Sequence, residues 1–351
     1  MQRVPKILGC DPLHRVTFSQ TQDLARCRLK GVIRNLRLTG EIPKEIPRRA
    51  ALVGKFHHLA MEWAMTAETL PDLERRVESE IKRLQSEVET WAHLRKYGSV
   101  SGWPEINQSV SRAIRGWEKR GIGKRPQVVR PEAELQTDNG IMVGRPDYYQ
   151  VDDGLAILKE YKSSTIRSED GYLQESYKQQ VLFYATLLFD RYNVRAVLGT
   201  VESLSGDSVE VNALPADGHA TMTTVAQLID SVNREVLAAP TLHALAQPAD
   251  EICSFCAAQV FCIPFKTRAS DRTIDNQLSF LEGRIERLVR SDARTLATAV
   301  IFDSYRKRTI ELNMPISLSG ELAVGKVYAF QDVLFRSNRA IWSAESRVFV
   351  L

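Results

Sequence analysis

Two carboxylates and a lysine stand at spacings that suit metal-assisted hydrolysis of a phosphodiester bond. Asp147 lies in the segment GIMVGRPDYYQV, and Glu160 and Lys162 lie in the segment LAILKEYKSS. Carboxylate oxygens are hard ligands for Mg²⁺ or Mn²⁺, and such a cation polarises a phosphate and lowers the pKa of a bound water. A lysine orients that water or stabilises the charge that develops on the phosphate. Because carboxylate–lysine pairs are also common on solvated strands, the hypothesis depends on what brings Asp147 to the same place.

The segments around these residues predict a β-hairpin. Residues 141–151 and 155–162 alternate like strands, and Asp152-Asp153-Gly154 between them is typical of a tight turn. Residues two apart on a strand share a face, so Glu160 and Lys162 are expected to point the same way. The hairpin would bring Asp147 close to Glu160. On the second strand, Leu155, Ile157 and Tyr161 are expected to face a core.

Three cysteines within ten residues form a second chemical cluster. Cys253, Cys256 and Cys262 are three of the five cysteines of the chain, and in a reducing compartment such a cluster is typical of a metal site. Tetrahedral zinc and a [4Fe–4S] cluster each take four protein ligands. The fourth thiolate must therefore come from Cys27 or Cys10.

A basic segment precedes the predicted hairpin. Residues 112–130 contain seven basic residues against one acidic residue, Glu118, with Trp117 among them. A charge run is often a solvated helix face, but this position favours a surface that follows the backbone of single-stranded DNA. The basic residues are Arg112, Arg115, Lys119, Arg120, Lys124, Arg125 and Arg130.

Hydrophobic periodicity predicts a mixed α/β fold for most of the chain. Helices are expected at 17–38, 50–67, 71–97, 172–190 and 221–239, and further strands at 127–135, 195–203 and 208–213. After Phe265 the pattern changes to a charged helix near 275–290, followed by strand-like segments from 308 to the end. We therefore place a domain boundary near residue 270, which gives domains 1–270 and 271–351. The second domain is expected to be a small β-rich appendage, either an oligonucleotide-binding barrel or a packing or interaction module.

Composition excludes several classes of protein. The 351 residues are 44% hydrophobic and 26% charged, and the net charge is +4, as expected for a globular chain with a core. No apolar segment approaches the roughly 20 residues of a membrane span, and the first residues lack the apolar region of a signal peptide. We expect a cytoplasmic protein without membrane contact.

The two strand segments resemble the signature of the PD-(D/E)xK nucleases. Pro146-Asp147, twelve further residues and Glu160-Tyr161-Lys162 match that motif. Gly54-x3-His58 upstream and Gln180-x3-Tyr184 downstream are similar to two motifs of the RecB-like branch. The resemblance covers roughly 17–265 and implies a restriction-endonuclease-like mixed sheet flanked by helices.

The RecB-like resemblance also implies roles for single residues. His58, Asp147 and Glu160 would bind Mg²⁺ or Mn²⁺, and Lys162 would assist the attacking water. Gln180 and Tyr184 would orient the site and the substrate backbone. His57 is the alternative to His58, which the G-x3-H spacing favours. The sequence departs from its relatives in Tyr148-Tyr149, where a basic residue is common, and in Glu160, where aspartate is common.

The cysteines resemble those of the iron–sulfur-bearing subset of RecB-like nucleases, which includes the AddB subunit and the CRISPR-adaptation nucleases. This subset has one cysteine before the nuclease core and three after it. Cys27, on a helix that begins near Ser19, matches the first, although the proline that usually follows is absent; CSFCAAQVFC matches the others. The resemblance implies that Cys27, Cys253, Cys256 and Cys262 hold a [4Fe–4S] cluster. Zinc is the alternative, and either would stabilise the fold.

The resemblance finally implies an activity and partners. It predicts a metal-dependent deoxyribonuclease, in particular an exonuclease acting on single-stranded DNA ends. The setting would be DNA repair, recombination, or the processing of CRISPR or mobile-element DNA, with a helicase or an adaptation complex as protein partner. Two other interpretations remain open: a DNA-binding subunit whose nuclease core is inactive, and a zinc-stabilised interaction module.

Overall fold

The computed structural model describes residues 2–3, 6–39, 49–90, 94, 97–120, 134–253, 256–270, 278–290, 296–336, 339–342 and 346–351. Contacts divide the chain into two compact units. The sheet unit comprises His14–Thr21 and Pro47–Ser231, and the barrel unit comprises Met1–Leu13, Gln22–Ile46 and Val232–Leu351.

The helices are labelled in chain order. They are α1 (Phe18–Arg26), α2 (Arg28–Val32), α3 (Arg49–Thr66), α4 (Leu70–Thr90), α5 (Pro104–Arg120), α6 (Glu175–Tyr192), α7 (Pro215–Ala238), α8 (Asp250–Cys253), α9 (Ile263–Ser270) and α10 (Ile316–Ser319).

The strands are labelled in the same way. They are β1 (Gln2–Arg3), β2 (Lys6–Cys10), β3 (Leu36–Thr39), β4 (Leu135–Gln136), β5 (Val143–Gly144), β6 (Tyr148–Asp152), β7 (Leu155–Lys162), β8 (Ala196–Ser203), β9 (Ser208–Ala213), β10 (Leu278–Arg290), β11 (Leu296–Asp303), β12 (Thr309–Pro315), β13 (Val327–Arg336), β14 (Arg339–Ile341) and β15 (Arg347–Val350).

The sheet unit is built on a four-stranded mixed sheet in the order β6-β7-β8-β9. The outer pairs are antiparallel and β7 is parallel to β8. A parallel pair needs a long crossover connection, which contains α6 here. Apolar residues of α6 and β8 are buried in this unit, among them Val181, Leu187 and Val201. The predicted mixed α/β fold is confirmed.

Helices α3, α4 and α5 form a layer of their own within the sheet unit. Their apolar faces share one core, to which Phe56, Leu84 and Ile106 contribute fully buried side chains. Helix α4 is strongly amphipathic because its apolar residues recur every three or four positions, with ion pairs such as Lys82–Glu78 on its exposed side. Helix α3 lies against β7 and can therefore present side chains to that strand.

The hairpin of β6 and β7 has the predicted turn, but its predicted core face is buried only in part. Asp153 and Gly154 both have positive φ, 42° and 74°, as a two-residue type I′ turn requires. Of the residues expected to face a core, Tyr161 is buried at 4% exposure, Leu155 is partly exposed, and Ile157 was assigned wrongly, since it is 38% exposed whereas Leu158 is fully buried. Strand β7 is central in its sheet, and the even-numbered residues, including Glu160, lie on its more deeply buried face.

The barrel unit contains a closed ring of strands. Its seven-stranded sheet has the order β1-β15-β13-β10-β11-β12-β14, and β14 also pairs with β13. Strands β10, β11, β12, β14 and β13 therefore form a five-stranded barrel. Alternate residues of β11 and β12, among them Ala299, Ile301, Ile310 and Leu312, fill its interior.

The predicted helix near 275–290 was wrong, because Leu278–Arg290 is the first barrel strand. Leu281 and Ile285 are buried and Arg284 and Glu286 are exposed, so the apolar residues alternate with period two over 281–286. A bulge between Ile285 and Arg287 shifts the register, and this shift obscures the alternation in the sequence.

The predicted boundary near residue 270 coincides with none of the four divisions between the compact units, which follow residues 13, 21, 46 and 231. Helix α9 belongs to the same unit as the barrel, because Lys266 forms a buried ion pair of 2.6 Å with Glu282 of β10. Phe261 and Phe265 share a core cluster with Phe280. The residues before and after 270 thus pack together.

Among the helices of the described residues, none combines the length and the apolar character that a membrane crossing requires.

Candidate active site

The β6–β7 hairpin brings the two predicted carboxylates together. Asp147 immediately precedes β6, whose first residue pairs with Lys159, so Asp147 lies opposite Glu160. The backbone N–H of Asp147 donates to Glu160 Oε1 over 3.3 Å. The backbone N–H of Tyr161 donates to Asp147 Oδ2 over 2.7 Å. Turn geometry and strand register therefore fix the relative positions of the two carboxylates.

Lys162 completes this group on the same face of β7. Its Nζ donates to Glu160 Oε2 over 3.0 Å, and its side chain is 13% exposed. The ring of Tyr177, at the start of α6, lies 5.4 Å from the ammonium group, within the range of a cation–π contact. Tyr177 was not among the predicted site residues, because no motif marks it.

Helix α3 supplies a histidine to the two carboxylates. His58 Nδ1 lies 2.9 Å from Asp147 Oδ1. One turn earlier is Gly54, where a Cβ atom would lie 3.1 Å from Ser163 Oγ just beyond β7. Glycine at this position therefore allows close approach of the helix to the strand end, which gives the Gly54-x3-His58 spacing a physical reason.

His57, the alternative to His58, does not reach the carboxylates. It is fully buried, and neither ring nitrogen has a hydrogen-bond partner among the described residues. Its ring packs edge-on against Tyr161, with 6.1 Å between centroids. Burial, followed by the nearby His58 and Arg112, lowers the pKa of His57 to about 4. His57 is thus a neutral packing residue behind the site.

The protonation of the group is coupled to its burial. Burial, and then the charge of Asp147, raises the pKa of Glu160 to about 7, although Lys162 opposes this. Burial lowers the pKa of His58, but the hydrogen bond and charge of Asp147 outweigh it, so the net pKa of His58 is raised. The site therefore binds protons near neutral pH when no cation is present.

Gln180 and Tyr184 lie one turn apart on α6, and Gln180 Nε2 donates to Tyr184 Oη over 3.4 Å. Tyr184 packs against Gly144, where a Cβ atom would lie 2.6 Å from the tyrosine ring. Burial, and then the charge of Glu160, raises the pKa of Tyr184. Tyr184 is therefore a neutral phenol within electrostatic range of the carboxylates, and Gln180 is hydrogen-bonded to that phenol.

The donor set of the site fits a hard divalent cation. Two carboxylates and an imidazole are suitable ligands for Mg²⁺ or Mn²⁺. The raised pKa of Glu160 reflects burial first and the charge of Asp147 second, and a cation would offset both. In the part of the chain that the structure describes, no group of three or more histidine, cysteine, aspartate or glutamate side chains has the arrangement of metal ligands. The carboxylate oxygens here accept hydrogen bonds from His58, Lys162 and backbone N–H groups, which a bound cation would have to replace.

The predicted basic surface lies beside a cavity on the other face of β7. Arg115 and Lys119, one turn apart on α5, line a cavity of about 530 Å³ together with Lys159, Tyr148 and other residues. Lys159 and Tyr148 were not predicted to contribute. Strand alternation places Lys159 on the face of β7 opposite Glu160, and this pattern could have predicted that Lys159 lies on the side of the cavity.

Other residues of the basic segment have different positions. Arg112 donates to the backbone carbonyl of Ser203 and forms an ion pair of 3.0 Å with Glu202, so its charge is already compensated. Trp117 donates to the carbonyl of Ala67 and packs on the core of α3, α4 and α5. Arg120 ends α5, and Lys124 and Arg125 lie outside the described residues.

The four predicted cluster cysteines lie together in the barrel unit. Cys27, Cys253, Cys256 and Cys262 line one small cavity, with apolar residues such as Leu29 and Ile252 around them. Burial raises the pKa of the Cys256 thiol to about 12 and that of Cys262 to about 11. Four soft thiols are the ligand set that zinc or an iron–sulfur cluster takes, and such a metal would deprotonate them. Among the described residues, no three of these thiols have the arrangement of metal ligands, so binding would require the side chains to turn toward the metal.

Cys27 owes its position to a break in the predicted helix 17–38. Its backbone is extended, with φ −157° and ψ 112°, between α1 and α2. Cys10 lies on β2 and its sulfur donates to the carbonyl of Asp11 over 3.4 Å. The structure therefore brings Cys27, and not Cys10, to the other three cysteines.

Comparisons with known proteins add little to this geometry. No protein-family profile and no curated protein matches the sequence. A solved structure described as SSO0001 is 16% identical, with 69% of this chain and 95% of that chain covered and a TM-score of 0.28. A protein from Eubacterium rectale named "putative exonuclease" is 12% identical, with 76% and 91% covered and a TM-score of 0.38. Scores this low support no argument about fold or function, so any functional conclusion depends on the residues themselves.

Proposed function

We propose that this protein is a metal-dependent nuclease that hydrolyses phosphodiester bonds of DNA. The supporting observation is the hydrogen-bonded group of His58, Asp147, Glu160 and Lys162, which three separate segments of the chain bring to one end of a sheet. Two carboxylates and an ammonium group at one point are expensive to bury unless they act together.

In this proposal His58, Asp147 and Glu160 hold Mg²⁺ or Mn²⁺, which supplies Lewis-acid polarisation of the scissile phosphate when bound. Lys162 Nζ donates hydrogen bonds to the attacking water or to the phosphate oxygen on which charge develops. The ring of Tyr177, 5.4 Å from that ammonium group, limits the directions that Lys162 can take. The phenol of Tyr184 borders the carboxylates from α6.

Substrate binding is proposed to use the basic cavity. Arg115 and Lys119 are exposed and offer two cations to the phosphates of a DNA strand, whereas Lys159 lies 3.8 Å from Glu202. The preference for single-stranded ends and the exonucleolytic mode follow from the RecB-like resemblance, as do the repair, recombination or CRISPR setting and a helicase or adaptation-complex partner.

We also propose that Cys27, Cys253, Cys256 and Cys262 bind a [4Fe–4S] cluster, with zinc as the alternative. The support is that these four thiols line the same cavity. Anaerobically purified protein would be brown and would contain iron and sulfide if the cluster is correct. A colourless protein with one zinc ion would identify the alternative.

The experiment that tests the nuclease uses DNA labelled at either end, single- or double-stranded, with Mg²⁺, Mn²⁺ or EDTA. We expect metal-dependent cleavage by the wild type and a loss of at least about 100-fold in Lys162→Met, with DNA binding retained. Lys82→Met is the matched control, because Lys82 lies exposed on α4 beside Glu78. The label that is released first gives the polarity.

Three results would contradict the proposal. Wild-type protein that binds DNA and cleaves none with any metal would be a binding subunit with an inactive core. Equal cleavage by wild type and Lys162→Met would place the activity outside this site. Wild-type protein that neither binds nor cleaves DNA would favour an interaction module.

A further inference from the structure

The barrel strands have the order that is typical of one class of ligand-binding barrels. Strand β14 is parallel to β12 and antiparallel to β13, and the remaining barrel pairs β10–β11, β11–β12 and β10–β13 are antiparallel. The short helix α10 lies between β12 and β13. This is the five-stranded Greek-key arrangement of oligonucleotide-binding barrels, whose second and third strands present the ligand face.

We infer that the outer face of β10, β11 and β12 is a second binding surface, for single-stranded nucleic acid. This inference concerns the barrel alone and does not depend on catalysis in the sheet unit. The ligand is a strand with exposed bases and phosphates, because the residues of the face supply partners for both.

The alternation of β11 separates the barrel interior from this face. Ala297, Ala299 and Ile301 are buried inside, whereas Thr298, Val300 and Phe302 are partly exposed on the other side. The outward residues of β11 therefore form a row along the strand, with Phe302 at one end. A partly exposed phenylalanine on a barrel face offers a ring on which a base can stack.

Arginines stand next to this row on the neighbouring strand. Arg284 pairs in register with Phe302, and Arg287 pairs with Val300. Both arginines are exposed, and neither forms an ion pair with another described residue. An arginine beside an aromatic ring can contact a phosphate while the base stacks on the ring.

Polar groups complete the face on the third strand. Thr298 Oγ1 donates to Asn313 Oδ1 over 2.8 Å, which leaves the amide N–H₂ of Asn313 available to a base edge or a phosphate. Two carboxylates also lie on this side. Glu311 forms an ion pair of 3.3 Å with Arg339, and exposed Glu286 occupies the bulge beside Arg287. The face keeps a net positive charge, which favours a polyanionic ligand over a positively charged partner.

The test measures binding of the full chain to fluorescein-labelled oligothymidylate by anisotropy. The Lys162→Met background and EDTA prevent cleavage, so a failure here is separate from a failure of the proposed nuclease. We expect Arg284→Glu with Arg287→Glu to weaken binding about tenfold and to reduce the slope of log K against log salt by about 1.4, since two phosphate contacts are lost. Phe302→Leu should weaken binding at least about fivefold with the slope unchanged.

The matched control is Arg75→Glu with Lys82→Glu, which changes the net charge equally on exposed positions of α4. Thermal unfolding verifies that each variant is folded, and Arg284→Gln with Arg287→Gln replaces the charge reversal if it is not. The inference is overturned if the barrel variants bind as the wild type does, or lose no more affinity than the control. A parallel series with oligouridylate shows whether DNA or RNA is the preferred strand.

Discussion

At the scale of the residue, the carboxylate of Glu160 carries the largest electrostatic cost of the candidate site. It is 1% exposed and lies between Asp147 and Lys162. Its pKa, about 7 instead of 4.5, means that the folded protein holds a proton there that the unfolded chain releases. The folded state is therefore destabilised as pH rises from about 4.5 to 7, because ionisation of Glu160 requires less free energy in the unfolded chain.

Replacing this carboxylate should reveal the cost directly. In EDTA, Glu160→Gln is expected to raise the free energy of unfolding at about pH 8 by as much as about 3 kcal/mol and to change it little near pH 4. Denaturant unfolding at the two pH values measures the difference. Added Mn²⁺ should stabilise the wild type at about pH 8 and have little effect on the variant.

Glu78→Gln is the matched control, because Glu78 lies exposed on α4 and its pKa is lowered by Lys82. Its effect should be small and of the opposite sign. Equal stability of Glu160→Gln and wild type at both pH values would show that this carboxylate is not strained.

The sequence specified the chemistry of the site better than its surroundings. The proximity of Asp147 and Glu160 follows from a local turn, so strand alternation was sufficient to predict it. Which face of β7 is more deeply buried depends on α6, which packs from a distant part of the chain, and Ile157 was therefore assigned to the wrong side. Tyr177 contacts Lys162 through the crossover connection, and no local pattern indicates that contact.

At the scale of the element, the segment that contains Cys253, Cys256 and Cys262 connects α2 with the barrel. Cys27 precedes α2, and Cys262 precedes α9. Lys266 of α9 forms a buried ion pair with Glu282 of β10, and Gln331 of β13 donates to buried Gln259. A metal held by the cysteines would therefore constrain barrel strands that contact the same segment.

Loss of one cysteine should loosen the barrel unit. Cys27→Ser is expected to lower the melting temperature of anaerobic protein by several degrees, because a chain loop of more than two hundred residues is no longer closed. Cys10→Ser is the matched control, since Cys10 lies on β2 away from the other thiols. Differential scanning calorimetry compares the two variants. Equal melting of Cys27→Ser and Cys10→Ser would show that no structural metal bridges these cysteines.

Elements whose pattern is uninterrupted were the ones that the sequence predicted well. Helices α3 and α4 begin within a residue or two of their expected positions because their apolar spacing is regular. Strand β10 was mistaken for a helix because its bulge interrupts the alternation and its charges suggest a solvated face. Because β10 and β11 were not predicted as strands, the five strands of the barrel could not be counted from the sequence.

At the scale of the whole molecule, the net charge of +4 conceals local concentrations of positive charge. In the sheet unit, Arg115 and Lys119 border the large cavity while Arg112 is neutralised by Glu202. Binding to DNA should therefore depend on a few cations and be sensitive to salt.

Reversing the two uncompensated charges tests this dependence. Arg115→Glu with Lys119→Glu should weaken binding to single-stranded DNA about tenfold and reduce the salt slope by about 1.4. Titrations over a range of salt concentrations provide both quantities. Arg112→Gln should change the slope much less, and a reduction as large as that of the double variant would show that the ion pair with Glu202 opens to bind DNA.

The distance along the chain between His58 and Asp147 has a consequence for folding. These residues are 89 positions apart, and β7 joins β8 only across the α6 connection. Hairpins close within microseconds, but contacts between distant segments form later because loop closure must precede them. Because His58 leaves the ribosome before Asp147 does, the histidine waits for the carboxylates, and the candidate site is assembled only when the hairpin has formed and α3 has packed against β7.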